Sequence, residues 1–230
     1  MKRIFLFLSV WCVVSVVLLS CSKTRGYDYV DLDLPSGNLW ATKNVGAEDI
    51  EDDGDYYAWG EVETKAKYDL DNLKFSNKAK NFLGMLFSKY VRKQEKDMIG
   101  LNHFYDNKET LDLEDDVAHT RMGGKWRMPT NFDLKELKDN CDWTWTEVNE
   151  VRGYKVASKL DSTKYIFLPA AGFRLHAELY VGGSCGYYWT RSLEKDCSHL
   201  AYELYFDSQK VEMNVDFREG GYPIRAVCHK

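Results

Sequence analysis

Positive charge is in deficit in this chain: 36 acidic side chains outnumber 31 basic ones, and the formal net charge is −5. A protein that neutralises phosphates carries a surplus of Lys and Arg, so a nucleic-acid reader is excluded. After the first twenty positions no apolar run is long enough to span a bilayer. Proline is scarce, with four residues, whereas there are seven Trp, fifteen Tyr and eleven Phe. That balance excludes a disordered chain and favours an aromatic-rich β or α+β body. Gly-x-Ser-x-Gly, His-Glu-x-x-His and P-loop patterns are absent, as are CxxC and HxxxH, so the common hydrolase, nucleotide and zinc signatures are missing.

What is present begins with an address. Lys2 and Arg3 precede an apolar stretch, Ile4 to Leu19, which ends in Leu18-Leu19-Ser20-Cys21. Positive charge stays inside, the apolar run enters the translocon, and small Ser20 fits a cleavage site before a cysteine. The pattern resembles a bacterial lipoprotein signal. It implies a signal peptide over residues 1–20, a diacylated Cys21 on a short tether to residue 28, a domain over 29–230 and lipid anchoring in the bacterial outer membrane, facing the cell surface or the periplasm. In such an oxidising compartment Cys141, Cys185, Cys197 and Cys228 are disulfide candidates. Cys185–Cys197 with Cys141–Cys228 is the favoured pairing of the three that are possible.

Local patterning is mostly that of short strands and turns. Strands are expected at 29–32, 39–42, 55–60, 143–147, 154–158 and 165–168. Val211, Met213, Val215 and Phe217 alternate with Glu212, Asn214, Asp216 and Arg218, placing the two sets on opposite faces of one strand. Ile224, Ala226 and Cys228 form the inward set of a last strand. Two helices are expected. Over 79–91, Phe82, Leu86 and Tyr90 fall at i, i+4 and i+8 beside Leu83 and Phe87, a core-facing stripe. The other begins at Thr130, where Thr130 and Asp133 form a capping-box pattern after Pro129, with Phe132, Leu134 and Leu137 as its buried face.

Five motifs occur in order: Asn44-Val45-Gly46-Ala47, Asp55-Tyr56-Tyr57-Ala58-Trp59-Gly60-Glu61, Gly123-Gly124-Lys125-Trp126-Arg127-Met128-Pro129-Thr130, Phe167-Leu168-Pro169-Ala170-Ala171-Gly172-Phe173-Arg174 and Gly186-Tyr187-Tyr188-Trp189-Thr190. Together they resemble the Fibrobacter succinogenes major paralogous domain of exported Bacteroides-type lipoproteins. The resemblance implies an α+β, C-type lectin-like fold, with two helices, a twisted antiparallel sheet closed by pairing of the terminal strands, and long loops. The motif residues themselves read as architecture: turns, docked indoles and a helix start.

The fold hosts unrelated functions, so the site is argued separately. The resemblance extends to formylglycine-generating enzymes, but Arg225-Ala226-Val227-Cys228 lacks their closely spaced second cysteine. The acidic runs 48–55 and 112–116 invite a hard cation, yet the sugar-binding motifs of calcium lectins are missing, and neither metal nor cofactor is expected. His103, His119, His176, His199 and His229 are scattered, with His119 between an acidic run and Gly123-Gly124. What remains is a non-catalytic binding surface for a glycan, peptide or envelope protein. In the variable receptors that the fold resembles, contacts come from the C-terminal region. Here that region offers Tyr187, Tyr188, Trp189 and Arg191, followed by Glu212, Asn214, Asp216 and Arg218; aromatics and Arg give contact area and directed hydrogen bonds. The alternatives are a metal-assisted enzyme using the acidic loops and His119, and a structural envelope component.

Overall fold

The computed structural model describes residues 26–76, 87–92 and 105–230. The leader, Cys21, His103 and residues 79–86 of the expected first helix lie outside them. The first paired strands are β1 (Tyr29–Asp31) and β2 (Asn38–Ala41). A short helix, α1 (Val117–Met122), and β3 (Trp126–Arg127) lead to the longer helix α2 (Asn131–Asn140). Strands β4 (Cys141–Val148), β5 (Val151–Ser158) and β6 (Tyr165–Pro169) follow, then β7 (Phe173–Leu175) and β8 (Glu178–Tyr180). Strands β9 (Cys185–Leu193), β10 (Leu200–Asp207), β11 (Val211–Phe217) and β12 (Val227–His229) complete the chain.

The molecule is therefore α+β: strands gathered into several small antiparallel sheets, with two α-helices among the described residues. One sheet has the order β1-β2-β12-β3, so the last strand lies between the first hairpin and the middle of the chain. The others are β4-β5-β6, β11-β10-β9 and the hairpin β7-β8. The expected strands at the amino terminus, at 143–168 and at 211–217 form. Residues 55–60 run irregularly instead, anchored by the bridge Tyr57↔Tyr222, because their side chains are spent on docking. Trp59 Nε1 donates to the Thr190 carbonyl at 2.8 Å and Tyr56 Oη to the Ala171 carbonyl at 2.6 Å.

Helix α2 starts as its sequence requires. Thr130 Oγ1 accepts from Asp133 N, and Asp133 accepts from Thr130 N at 2.7 Å, a reciprocal cap. Burial alone would raise the Asp133 pKa, but Arg127, at 2.7 Å, and the Thr130 donors hold it below the usual range. Leu134 and Leu137 are buried as expected, whereas Phe132 is 76% exposed. It sits in the first turn, beyond the stripe that meets the sheet. The end of the other expected helix is also corrected: Phe87 bridges Ser76 antiparallel and Tyr90 has φ of 60°, so 87–91 is not helical.

Two apolar clusters fill the interior. One joins Trp59, Trp126, Trp189, Tyr222, Ile224, Ala226 and Cys228. The other joins α2 to the inner faces of β5, β6 and β10 through Leu134, Leu137, Val156, Leu168, Leu204 and Phe206. Between the segments that build them lies Arg225, 1% exposed. Its Nε donates to Asn44 Oδ1 at 2.9 Å, Nη1 to the carbonyls of Ala41 and Thr42, and Nη2 to the Phe167 carbonyl at 2.8 Å. Burial lowers its pKa to about 10, so it remains cationic at neutral pH. Asn44 also donates to Tyr188 Oη, which donates to the Pro169 carbonyl. Three separated stretches of chain thus meet at one guanidinium, and Tyr188 joins them through Asn44.

Replacing Arg225 with Ala leaves these buried acceptors without donors and is expected to cost about 3–5 kcal/mol. Asn44→Ala removes part of the network and should cost about 1–3 kcal/mol. Phe132→Ala should stay within about 0.5 kcal/mol, as surface changes do. Urea unfolding of the three variants tests that order.

Candidate functional site

Strand alternation sorts the β9-β10-β11 sheet into two surfaces. Tyr188, Leu204, Phe206, Val211 and Met213 point to the α2 side and join its cluster. The other surface carries, in cross-strand rows, Cys185 and Asp207; Tyr187, Tyr205 and Glu212; Trp189, Glu203 and Asn214; and Ala201 and Asp216. At the Trp189 end this surface is closed. Tyr222 stacks on the indole at 4.1 Å, and Trp189 Nε1 donates to the carbonyls of Tyr57 and Gly220. Gly186 is required beneath the sheet, since a Cβ there would meet the Phe206 ring at 2.1 Å. At the other end the surface is open: Tyr187, Tyr205 and Asp207 are partly exposed and Glu212 and Asn214 exposed.

The open end is an aromatic cluster rimmed by acids. Tyr187 lies edge-on to Phe173 at 4.9 Å and to Tyr205 at 5.1 Å, and Phe173 stacks with Tyr180 at 5.3 Å. Tyr205 Oη donates to Asp207 at 2.9 Å, and the Cys185 thiol lies 3.7 Å from that hydroxyl. Tyr222 Oη donates to Asp216 at 2.6 Å. Burial pushes the Tyr187 hydroxyl up to about 12, with nearby acidic groups adding to it. Under the rings Glu203 is fully buried, and neither carboxyl oxygen makes a well-formed hydrogen bond. Burial first, and then the charge of Asp216, push its pKa up to about 8, opposed by the Asn214 amide. At neutral pH Glu203 is therefore largely a neutral acid.

Of the residues singled out in the sequence, Tyr187, Glu212, Asn214 and Asp216 come together on this surface. The other four are enclosed or engaged elsewhere. Tyr188 faces the α2 core, and Trp189 is roofed by Tyr222. Arg218 lies past the end of β11 and is wholly buried, its guanidinium 4.7 Å from Trp59 and 4.1 Å from Phe87. Strand alternation failed at Arg218 because the chain turns there. Arg191 sits at the bulge where β9 leaves register with β10, and its guanidinium serves the Leu111 carbonyl and Asp116. The sequence reading missed Tyr205 and Glu203, whose alternation in β10 with Ala201 and Asp207 was the available signal.

The cysteine pairing is also corrected: Cys141, Cys185, Cys197 and Cys228 form no disulfide. Cys185 pairs with Asp207 at one end of the β9-β10 hairpin, and Cys197 lies in the connection at the other. A strand of this length separates them by roughly 26 Å, far beyond a disulfide's reach. Cys141 and Cys228 belong to different core clusters.

The other candidate groups are already engaged. Asp112, Glu114 and Asp115 have oxygens within 4.8 Å of one another, but Lys89 Nζ lies among them at 2.8, 2.8 and 2.6 Å. Lys74 and Tyr90 also bind Asp115. Burial would raise the Asp115 pKa, but these partners hold it down. Asp116, raised by burial, caps α1 through His119 N and accepts from Met128 N. His119 Nδ1 donates to the Trp126 carbonyl at 3.1 Å. In the 48–55 loop, Asp52 accepts from the amides of Glu48 and Asp49, and Asp55 from Tyr57 Oη. A cleft of about 480 Å³ beside β1 and β2 has both its cations engaged as well, Lys43 by the Glu48 carbonyl and Arg121 by Glu63. The sheet surface differs in keeping a buried acid with no good partner.

That acid fixes a pH dependence. Between its unfolded value, near 4.5, and its folded value, near 8, the native state binds more protons than the unfolded chain, so its contribution to stability falls as pH rises. Glu203→Gln should therefore unfold much like the parent at pH 5 and be more stable by about 1–3 kcal/mol at pH 8.5. Thermal unfolding across that range measures the difference; equal profiles would show that Glu203 is ionised and paired.

In comparisons with protein-family models, curated proteins and solved structures, nothing matches this chain.

Proposed function

We propose that this chain is a lipid-anchored envelope protein of the outer membrane, with a C-type lectin-like domain of the Fibrobacter succinogenes major paralogous kind. The domain binds a glycan, a peptide or a partner protein without catalysing a reaction. The fold reading is supported by the pairing of β2 with β12, near the two ends of the described chain, and by the convergence of three of the five sequence motifs on one buried network around Arg225 and Tyr188. The observation that carries the function is the open end of the β9-β10-β11 surface, where Tyr187 and Tyr205 stand partly exposed beside exposed Glu212 and Asn214. Rigid aromatic rings supply contact area at small entropic cost, and strand-borne polar groups at fixed spacing supply direction.

The metal-assisted alternative gains no such support, because Asp112, Glu114 and Asp115 already surround the Lys89 ammonium and His119 is held by a backbone carbonyl.

A glycan and envelope-protein array probed with the purified full chain, in calcium and in chelator, tests the reading. Selective binding should survive chelation and fall by about tenfold or more in Tyr187→Ala/Glu212→Ala, with that variant still unfolding cooperatively, at a lower temperature because Tyr187 also packs on Phe173 and Tyr205. Binding that disappears with chelator, or that is indifferent to both substitutions, would overturn it.

A further inference from the structure

The open end of the sheet surface has a more particular chemistry than a general contact patch. Its charged strand residues are both acids, Asp207 and Glu212, with Glu203 buried one row along. Its rings, Tyr187, Tyr205, Phe173 and Tyr180, present electron-rich faces within one continuous cluster. A cation gains from both, through ring quadrupoles and carboxylates at once.

The chain itself supplies an occupant. Lys210, in the turn between β10 and β11, places its ammonium 5.1 Å from the Tyr205 ring centroid and 2.8 Å from Glu212 Oε2. It is half exposed, with a side-chain exposure of 51%, so the contact is a surface one that a competing group can displace. One row along, beside Trp189 and Asn214, Glu203 is buried with no well-formed hydrogen bond to either carboxyl oxygen, a further acid on the same surface.

We propose that this surface takes a ligand bearing a primary ammonium group, with an amino sugar as the chemical class: the ammonium lies over Tyr205 against Glu212, where Lys210 now sits, and the sugar ring packs on Tyr187. The inference rests on the reading of this surface as the binding face and narrows it to one ligand chemistry. Neutral sugars would meet the rings but leave the acids unmatched. Acidic sugars would be repelled by Asp207 and Glu212.

Titration of the full chain in detergent with a glucosamine trimer carrying free amines, and with its fully N-acetylated counterpart, tests this by calorimetry. The two probes share their sugar rings and differ in charge. The amine trimer should bind at least about tenfold more tightly. Lys210→Ala should strengthen its binding severalfold by removing the resident competitor, and Glu212→Gln should weaken it by about tenfold. Asp139→Asn, on α2 behind the sheet, should change nothing. Both surface variants should keep the parent's unfolding temperature.

Equal affinity for the two trimers would overturn the ammonium assignment while leaving the surface a binding face. Amine-selective binding that ignores Lys210→Ala and Glu212→Gln, or falls equally with Asp139→Asn, would overturn it as general attraction to an acidic protein. Failure of both trimers to bind would overturn the amino-sugar assignment, whatever the array returns for other ligands.

Discussion

The buried guanidinium of Arg225 is the constraint on which the remaining architecture depends. A cation taken out of water is tolerated only where its donors find acceptors, and here those acceptors are carbonyls and one amide from segments far apart in the chain. Ala41, Thr42 and Asn44 must approach Phe167 for the bonds to form together, which fixes the end of β2 against β6. Asn44 then places Tyr188, and Tyr188 places the start of β9 against Pro169. No carboxylate stands among these partners, so the site is set by the direction of backbone carbonyls and is intolerant of shifts.

Fixing β9 determines what the sheet shows to solvent. With Tyr188 held inward, alternation sends Tyr187 and Trp189 to the opposite surface, and the cross-strand register brings Tyr205, Glu203, Glu212 and Asn214 with them. The Gly220-Gly221-Tyr222 segment runs over the Trp189 end and stacks Tyr222 on it. The same covering buries Glu203 and leaves Tyr187 at the edge of solvent. One arrangement therefore produces both the closed core and the open cluster.

Much of this was legible from residues in order. The β11 alternation and the Thr130–Asp133 cap are local patterns with one physical solution each, and they hold; Ile224, Ala226 and Cys228 are buried, but only Cys228 lies in β12, and Arg225 and Val227 between them are buried too. Of the motif residues, Trp59, Trp126, Tyr188 and Trp189 are buried in the two clusters, whereas Phe173 and Tyr187 reach the open surface. What the sequence hid is long-range: whether an aromatic at a strand position is roofed by another segment, as Trp189 is by Tyr222, cannot be read from its neighbours. Arg218 looked like the end of a wet strand face, but a cation can be buried among Trp59, Phe87 and Tyr90, residues more than a hundred positions away. The cysteine pairing erred for a related reason, since closeness along the chain becomes a full strand length once the hairpin is extended.

Among the lysines that meet the chain's own acids, Lys89 and Lys210 form a contrast that separates a structural group from an exchangeable one. Lys89 lies among three carboxylates and beside the Tyr90 ring, with a side-chain exposure of 21%, next to an Asp115 that is almost fully buried. Removing that ammonium would strand buried charge, so the cluster holds its lysine as part of the fold. Lys210 faces one exposed carboxylate and one partly exposed ring. An exposed pair of that kind is worth about 0–1 kcal/mol, less than a ligand gains by adding sugar-ring contact to the same electrostatics. Both sites attract an ammonium group; only the one on the sheet surface can exchange its own lysine for another.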